Sequence, residues 1–416
     1  MSTDLTITAI RNGLHVDWQH KLGHGTYGKV YLASGEPIID RKSGELALKV
    51  QDMREHIKNN HLGDYIRVLR EIRLVTNLAH SNIVRFHGAI LSANLNSLGL
   101  VFKRWDCSLT KLLTESSQTL ELEQVQVLML QLAQALQYLE DSHVVHCDIK
   151  PANILLMKDC RLGLTDFGMA RWSLREHASD LVYTRWYRAP EIIFERPFGP
   201  PADIWAAGCV FAELLLAMLP VEDRPHPPAL FPVPEEPDEQ IMTMLQVLGP
   251  LTDLEINQLA MGSFNIVSWF KKAIKNCEKG GHSVPMKLTD LFSYAPPLAI
   301  DLLQKMLMFD TTKRIAATEI LQHPFFDTLP KQWRRERKSP ATVSTLDIDV
   351  LEINATPEQL KTKLQSLADD TLPANKAVVE LALVEPGKAN QEPPNSHHVL
   401  ANYQDDLPTN YQDDLL

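Results

Sequence analysis

The sequence has little cysteine, and none of it is arranged for cross-linking or for zinc. Its five cysteines are odd in number and far apart: Cys107, Cys147, Cys160, Cys209 and Cys277. This usage excludes a disulfide-stapled secreted scaffold and favours a reducing compartment inside the cell. We therefore expect a cytoplasmic protein. The basic run RRERK would add access to the nucleus if it were a nuclear signal, although a solvated helix end is the simpler explanation.

Long apolar segments are also missing. The most apolar stretch, IWAAGCVFAELLLAMLP, is 17 residues long, contains Glu213 and ends at Pro220. A membrane-spanning helix needs about 20 apolar residues, so a buried core helix is the better interpretation. The first residues lack a basic segment followed by an apolar run, so we expect no signal peptide and no membrane partner.

Most of the chain lacks net charge as well. The formal net charge is −11, and residues 339–416 contain 13 acidic and 4 basic residues. The rest is therefore nearly neutral, which argues against nucleic acid as a partner. The acidic segment is predicted to be largely disordered, because it cannot bury enough apolar area to offset its ordering entropy. Its closing repeat, NYQDDLPTNYQDDLL, is either a docking motif for a partner or a plain duplication in a solvating tail.

What remains divides into a strand-rich part and a helical part. Before residue 105, strand-like segments such as VYLAS and LALKV alternate with turn sequences, and one helix, DYIRVLREIRLVTNLAH, interrupts them. Beyond residue 109, apolar residues recur every three or four positions. We predict an α+β fold with two lobes. The predicted parts are an N-terminal extension (1–17), a small β-rich lobe (18–105), a larger α-helical lobe (106–330) and an acidic tail (331–416).

The small lobe contains a glycine-rich loop. Residues 23–30, GHGTYGKV, have the form G-x-G-x-x-G-x-V, which lets a backbone approach phosphates closely. A dinucleotide site would need a helix after the glycines, but the strand-like KVYLAS follows. Further on, Lys49 in a predicted strand and Glu71 in the predicted helix suit a lysine held by a glutamate so that its ammonium meets nucleotide phosphates. Taken alone, each would pass for an ordinary surface charge.

The stretch VVHCDIKPANILL, which begins at Val144, has the densest set of functional side chains. Asp148 can accept a hydrogen bond from a substrate hydroxyl, Lys150 can neutralise a phosphoryl group in transfer, and Asn153 can hold a metal ion. Asp166 in TDFGMAR, eighteen residues after Asp148, is placed to chelate a Mg²⁺ ion that bridges phosphates.

The order and spacing of these motifs resemble the eukaryotic protein kinase family over about residues 18–326. TRWYRAPEII, PADIWAAGCVFAELL and TTKRIAATEILQHPFF resemble the group of cyclin-dependent and mitogen-activated kinases, and GTYG and LREI lean toward the cyclin-dependent branch. The resemblance implies a serine/threonine protein kinase that uses ATP and Mg²⁺ and prefers proline after the acceptor. It also makes a cyclin-like regulatory subunit a candidate partner, although YIRVL differs from the cyclin-contacting sequence of that branch.

The same resemblance implies roles for individual residues. The catalytic set is Asp148, Lys150, Lys49 and Glu71. The metal ligands are Asn153 and Asp166. The ATP-binding residues are Leu22, Gly23, His24, Gly25, Thr26, Tyr27, Gly28, Lys29, Val30, Lys49, Trp105 and Ser108. The phosphorylation candidates are Ser179 in the activation segment and Thr26 and Tyr27 in the glycine loop, and the residues that would bind a phosphate on Ser179 are Arg70 and Arg171.

The chain departs from the family pattern at three positions. Cys147 stands where these loops carry an arginine that binds a phosphate on the activation segment, and a thiol is only a weak donor. Ser108 occupies the ribose-contacting position where aspartate is frequent. Tyr183 stands near the substrate-proline pocket, where a smaller residue is usual. We expect an active enzyme with weakened dependence on activation-segment phosphorylation.

Two other interpretations compete with this one. A nucleotide-binding pseudokinase or scaffold would act through partners, but such proteins tend to lose a metal ligand or the base, and both are present here. A kinase of small molecules fits less well, because the activation segment is long and ends in RAPE. Transfer of phosphate to a peptide library separates the three.

Overall fold

The structure is a computed structural model. It describes residues 6–8, 15–25, 28–35, 44–52, 62–91, 97–172, 185–225, 229–232, 237–260, 263–279, 287–334, 362, 366 and 382–384. These residues fall into two compact units. The first comprises the described parts of Met1–Asn77, Arg85–Trp105 and Thr345–Leu416, and the second those of Leu78–Val84 and Asp106–Ser344.

The first unit contains an antiparallel sheet and one helix. Its elements are β1 (Thr6–Thr8), β2 (His15–Gly25), β3 (Gly28–Gly35), β4 (Gly44–Asp52), α1 (Leu62–Asn77), β5 (Phe86–Leu91) and β6 (Ser97–Lys103). Five of the strands form a sheet in the order β2-β3-β4-β6-β5. Along β4, Leu46, Leu48 and Val50 belong to one apolar cluster. Side chains alternate between the faces of a strand, so Lys49 and Gln51 share the opposite face.

Helix α1 forms where the apolar period of the sequence predicts it. Val68, Leu69, Ile72 and Val75 are buried, at the three- and four-residue intervals of one helical face. Glu71 is also buried, with 2% of its surface exposed. A carboxylate is seldom buried without a partner, so this position indicates a specific contact.

The second unit is mainly helical. Its short strands are β7 (Cys107–Ser108), β8 (Val144–Val145), β9 (Ile154–Leu156), β10 (Leu162–Leu164) and β11 (Arg171–Trp172). Its helices are α2 (Leu109–Glu115), α3 (Leu122–Asp141), α4 (Pro190–Ile193), α5 (Pro200–Leu216), α6 (Pro237–Leu248), α7 (Asp253–Ala260), α8 (Phe264–Lys279), α9 (Leu288–Leu291), α10 (Pro297–Met306), α11 (Ala317–Leu321) and α12 (Lys331–Arg334). Strand β9 pairs with β7 and β10, and β8 pairs with β11.

Helix α5 is the apolar segment predicted to be a buried core helix, and this prediction is confirmed. Every residue from Ala202 to Leu216 is buried, and Trp205 and Phe211 are fully so. Its first residues are prolines, which suit a position where the backbone N–H has no helical partner. Within the described part of the chain, no helix has the length and apolar character needed to cross a bilayer.

A short strand late in the chain belongs to the first unit. Ala382–Val384 forms β12, which pairs with β1 in antiparallel register, with Ile7 opposite Leu383. An antiparallel sheet with one helix, together with a mainly helical second unit, is the predicted α+β, two-lobed layout. Three phosphorylation candidates, Thr26, Tyr27 and Ser179, lie outside the described residues, as does Tyr183.

Candidate active site

The glycine loop joins β2 and β3, and the structure describes it on both sides of residues 26–27. Leu22, Gly23, His24 and Gly25 end β2, and Gly28, Lys29 and Val30 begin β3. The two strands pair through His24 with Lys29 and Gly25 with Gly28. A Cβ at Gly28 would lie 2.3 Å from the Val50 carbonyl oxygen, so only glycine fits this close approach of two strands.

Lys49 and Glu71 form the ion pair predicted for them. The Lys49 Nζ atom lies 2.7 Å from Glu71 Oε1, and the side chains are 14% and 3% exposed. The pair joins β4 to α1, because Lys49 lies on the face of β4 opposite the apolar cluster. A paired lysine in a mostly buried setting has a fixed position, which is what binding of nucleotide phosphates requires.

Two further residues predicted to bind ATP, Trp105 and Ser108, lie close in sequence to the boundary between the first unit and the second. Trp105 closes the first unit, and its buried Nε1 has no hydrogen-bond acceptor among the described residues. Ser108 lies in the second unit and caps α2: its Oγ accepts a hydrogen bond from the Lys111 N–H at 3.3 Å. The Ser108 hydroxyl therefore has a local structural role, and its predicted contact with ribose stays a prediction.

Asp203 of α5 holds the turn that precedes Asp148. Its carboxylate accepts hydrogen bonds from the backbone N–H of His146 at 2.6 Å and of Cys147 at 2.9 Å. Burial raises the pKa of Asp203 to about 7, and the two N–H donors act in the opposite direction. Cys147 has a φ of 66°, a left-handed conformation that costs a non-glycine residue energy. The two bonds to Asp203 stabilise this turn and so fix the direction of the next residue, Asp148.

His146 connects the loop to the TDFG segment. It is fully buried, and burial lowers the pKa of His146, which favours the neutral ring. Its Nδ1 accepts a hydrogen bond from the Asp148 N–H at 3.2 Å, so the proton lies on Nε2, which donates to the Thr165 carbonyl at 3.0 Å. The ring also meets the edge of Phe167, with centroids 4.8 Å apart.

Asp148 lies at the centre of the predicted catalytic set. Lys150 Nζ lies 3.1 and 2.8 Å from its two carboxylate oxygens, and Asn153 Nδ2 donates to Oδ2 at 2.8 Å. The same Asn153 amide donates to the Asp148 backbone carbonyl at 2.8 Å. These contacts fix the rotamer of a carboxylate that is 9% exposed, as a group that accepts a proton from a bound hydroxyl requires.

Asn153 and Asp166 fit the predicted metal site. The Asn153 carbonyl accepts a hydrogen bond from the Thr165 N–H at 3.0 Å, which brings the residue before Asp166 against Asn153. Because the Asn153 amide nitrogen is bound to Asp148, its side-chain oxygen is the atom that can face a cation. An amide oxygen and a carboxylate suit Mg²⁺, which commonly takes one or two protein ligands and completes its shell with phosphates and water. When bound, the ion would neutralise phosphate charge.

The predicted phosphate-binding residues lie in different units. Arg171 is buried in β11, and its Nη1 donates to the carbonyls of Met169 and Ala170 at 3.0 and 3.1 Å. Arg70 lies in α1 and is 9% exposed. Cys147 is 3% exposed, and its thiol lies 3.5 Å from the Val145 carbonyl.

Two buried residues with ionisable or charged side chains have no role predicted from the sequence. Asp203 appears in the quoted segment PADIWAAG, yet no role was predicted for it. Arg314 is likewise unassigned: its Nη1 and Nη2 bind the two carboxylate oxygens of Glu191 at 2.7 and 3.0 Å. For Asp203 the available signal was an acid inside an apolar stretch, because such residues are rarely buried without a partner. Arg314 follows the polar residues 310–313, so its surroundings in the sequence give no such signal.

Helix α5 holds a second buried acid, Glu213, which predicts a pH-dependent stability. The Tyr187 hydroxyl donates a hydrogen bond to it, while its Oε1 has no partner among the described residues. Burial raises the pKa of Glu213 to about 8, against about 4.3 in an unfolded chain. The folded protein thus binds more protons than the unfolded one between these values, and its stability falls as pH rises through that window.

We expect Glu213→Gln to remove this pH dependence, because the amide is neutral at every pH. The Tm of the variant relative to wild type should rise between pH 5 and pH 8.5, as measured by calorimetry. Glu222→Gln is the control, since Glu222 is exposed on the 3₁₀ turn Val221–Asp223. Parallel Tm curves for wild type and Glu213→Gln would contradict the assignment.

Comparison with known proteins agrees with this arrangement. The protein kinase domain model matches residues 16–326. Mitogen-activated protein kinase 3 of Oryza sativa subsp. japonica is 32% identical over 314 residues, 74% of this chain and 77% of the relative. Mitogen-activated protein kinase 7 of Arabidopsis thaliana is 33% identical over 310 residues, 73% of this chain and 76% of the relative. Mitogen-activated protein kinase 14 of the same plant is 31% identical over 338 residues, covering 79% and 83%.

The predicted family and group are thereby confirmed. The three relatives named here carry mitogen-activated names, although GTYG and LREI lean toward the cyclin-dependent branch. Members of the family take their phosphoryl group from ATP and transfer it to proteins. The chain belongs to the protein kinase family, as a serine/threonine kinase of the group that contains the cyclin-dependent and mitogen-activated kinases.

Proposed function

We propose that this enzyme phosphorylates serine or threonine followed by proline, and that phosphorylation of its own activation segment raises its activity only modestly. Membership of the group supports the preference for proline. The buried Cys147, in the place of a phosphate-binding arginine, supports the weak dependence on phosphorylation.

Cys147 limits the hydrogen-bond donors that a phosphate on Ser179 can meet. The thiol lies 3.5 Å from a backbone carbonyl and has no charge to offer. Arg171 already gives Nη1 to two carbonyls, although a guanidinium has five donors. A hydrogen bond to a charged group contributes about 1.5–3 kcal/mol, so the loss of one arginine weakens activation about tenfold or more.

Cys147→Arg is therefore expected to make activity depend more strongly on Ser179 phosphorylation. The measurement compares kcat/KM of the phosphorylated and unphosphorylated forms of wild type and of Cys147→Arg on one peptide. The ratio should be at least about tenfold larger in the arginine variant. Cys147→Ser is the matched control, because it changes the side chain without adding charge and should keep the wild-type ratio. Equal ratios in wild type and Cys147→Arg would mean that another cation replaces the missing arginine.

The preference for proline is tested with peptides that differ only in the residue after the acceptor. A proline peptide should exceed its alanine counterpart in kcat/KM by at least about tenfold, which corresponds to about 1.4 kcal/mol of transition-state binding. Equal rates would remove proline direction and leave the kinase assignment intact. Nucleotide binding without transfer to any peptide would instead support a pseudokinase.

Where the enzyme acts and which proteins it binds are also proposed. We place the enzyme in the cytoplasm, supported by its few dispersed cysteines, with nuclear access through RRERK as the less favoured extension. A cyclin-like subunit and a docking partner for the NYQDDL repeat are further proposals, supported by family resemblance and by the duplication respectively. Kinetics of the purified chain with and without residues 333–416 test whether the tail contributes to catalysis.

A further inference from the structure

Glu71 has a second buried partner besides Lys49. Gln51 lies two residues after Lys49 on β4, so both side chains project from the same face of the strand toward α1. The Gln51 Nε2 atom lies 3.3 Å from Glu71 Oε2, while Lys49 Nζ lies 2.7 Å from Oε1. Gln51 is 4% exposed and Glu71 2%. Each oxygen of the glutamate thus has its own donor from one strand.

Two donors, one on each oxygen, restrict the orientation of the Glu71 carboxylate more than a single ion pair does. A carboxylate held at a single oxygen can turn about its terminal bond, because that torsion is broad. A bond at each oxygen fixes the plane of the group and therefore the direction in which Oε1 meets Lys49. The amide also supplies Oε2 with a hydrogen bond in a buried setting, where a carboxylate oxygen without a donor is costly.

The stem of Gln51 also lies against the glycine loop. Its Cγ is 3.4 Å from the position that a Cβ on Gly28 would take. Gly28 begins β3, whose next residue, Lys29, pairs with Val50. Gln51 therefore lies next to the third glycine of the loop and at the same time binds Glu71.

We propose that Gln51 is a positioning residue for phosphoryl transfer, which holds Glu71 in the orientation that fixes the Lys49 ammonium. The inference rests on the kinase activity of the family and on the predicted role of Lys49, and is independent of proline direction and of Ser179. Gln51 acts through Glu71 and does not itself touch the nucleotide. Its amide donates to Oε2, whereas Lys49 binds Oε1, so Gln51 stabilises the carboxylate without competing with Lys49 for the same oxygen.

The first experiment removes the amide with Gln51→Leu and measures kcat, the KM for ATP and Tm. We expect kcat/KM for ATP to fall about tenfold, the value of one hydrogen bond to a charged group. Val50→Ala is the matched control: Val50 is the neighbouring residue on the opposite face, in the apolar cluster. It should lower Tm and leave kcat/KM for ATP unchanged, which separates loss of packing from loss of positioning.

The second experiment repeats Gln51→Leu in the Glu71→Gln background. If Gln51 acts through the Glu71 charge, its removal has little effect once that charge is gone. The further loss of kcat/KM for ATP should therefore be far smaller than tenfold. The same fold-loss in both backgrounds would show that Gln51 acts elsewhere and would overturn the proposal.

The third experiment, Gln51→Glu, keeps the shape and gives a pH signature. Beside Glu71 and buried, the new carboxyl has a raised pKa, since two adjacent carboxylates resist ionising together. Below that pKa it is protonated and donates to Oε2 as the amide does, and above it the two groups repel. Activity relative to wild type should therefore fall as pH rises from about 5 to about 8. A pH-independent ratio would overturn the proposal even if Gln51→Leu failed to fold.

Discussion

Asp148→Asn is expected to lower kcat by about 10²–10⁴-fold, the usual contribution of a positioned general base, while nucleotide affinity stays near wild type. Asp148 accepts hydrogen bonds from Lys150 and Asn153 and is 9% exposed. An asparagine at this position keeps the size of the side chain but cannot take a proton from a substrate hydroxyl. It also turns an NH₂ group toward donors that need an acceptor, so the local hydrogen bonds weaken as well.

The measurement is kcat on a peptide at saturating ATP, together with the Kd for a nucleotide analogue. Asp159→Asn is the matched control, because Asp159 is also an acid paired with a cation, Arg161, but on an exposed turn of the same unit. The kcat of Asp159→Asn should equal that of wild type. Near-full turnover of Asp148→Asn would show that another group accepts the proton, and loss of nucleotide affinity would show that the substitution damages more than the base.

Local patterns of the sequence predicted the parts of the site that depend on neighbouring residues. The strand with Lys49 and the helix with Glu71 each follow from an apolar period within about 17 residues, and both exist as predicted. The Asp148, Lys150 and Asn153 contacts span five residues at most, so their spacing nearly specifies their geometry.

Contacts between distant residues could not be predicted in the same way. Asp203 binds the backbone of His146, 57 positions earlier, and no period or spacing encodes that distance. In the sequence, Gln51 is an ordinary polar residue after the predicted strand LALKV. Its hydrogen bond to Glu71, 20 positions away, exists because α1 packs close to β4. Pairing of β1 with β12 joins Thr6–Thr8 to Ala382–Val384, and strand propensity alone does not select so distant a partner.

Lys49→Met is expected to cut kcat/KM by about 10²–10³-fold or more, because a fixed cation that binds phosphate in the transition state has no substitute among uncharged side chains. The variant has a second consequence within the protein. The side chain of Glu71, which is 3% exposed, loses the ammonium that lies 2.7 Å away. Removing one partner of a buried ion pair leaves an uncompensated charge, which costs about 3–5 kcal/mol of stability. Gln51 still donates to the other oxygen and offsets part of this cost.

The loss of activity and the loss of stability can be separated in the double variant that combines Lys49→Met with Glu71→Gln. Neutralising Glu71 removes the unpaired charge, so the Tm should recover toward wild type, whereas kcat/KM should stay as low as in Lys49→Met because no cation has been restored. Lys21→Met, at an exposed position of β2, is the control for removing a lysine from the same sheet and should change neither quantity. Recovery of activity together with Tm would mean that Lys49 acts only by pairing with Glu71. Activity near wild type in Lys49→Met itself would remove Lys49 from the phosphate-binding set.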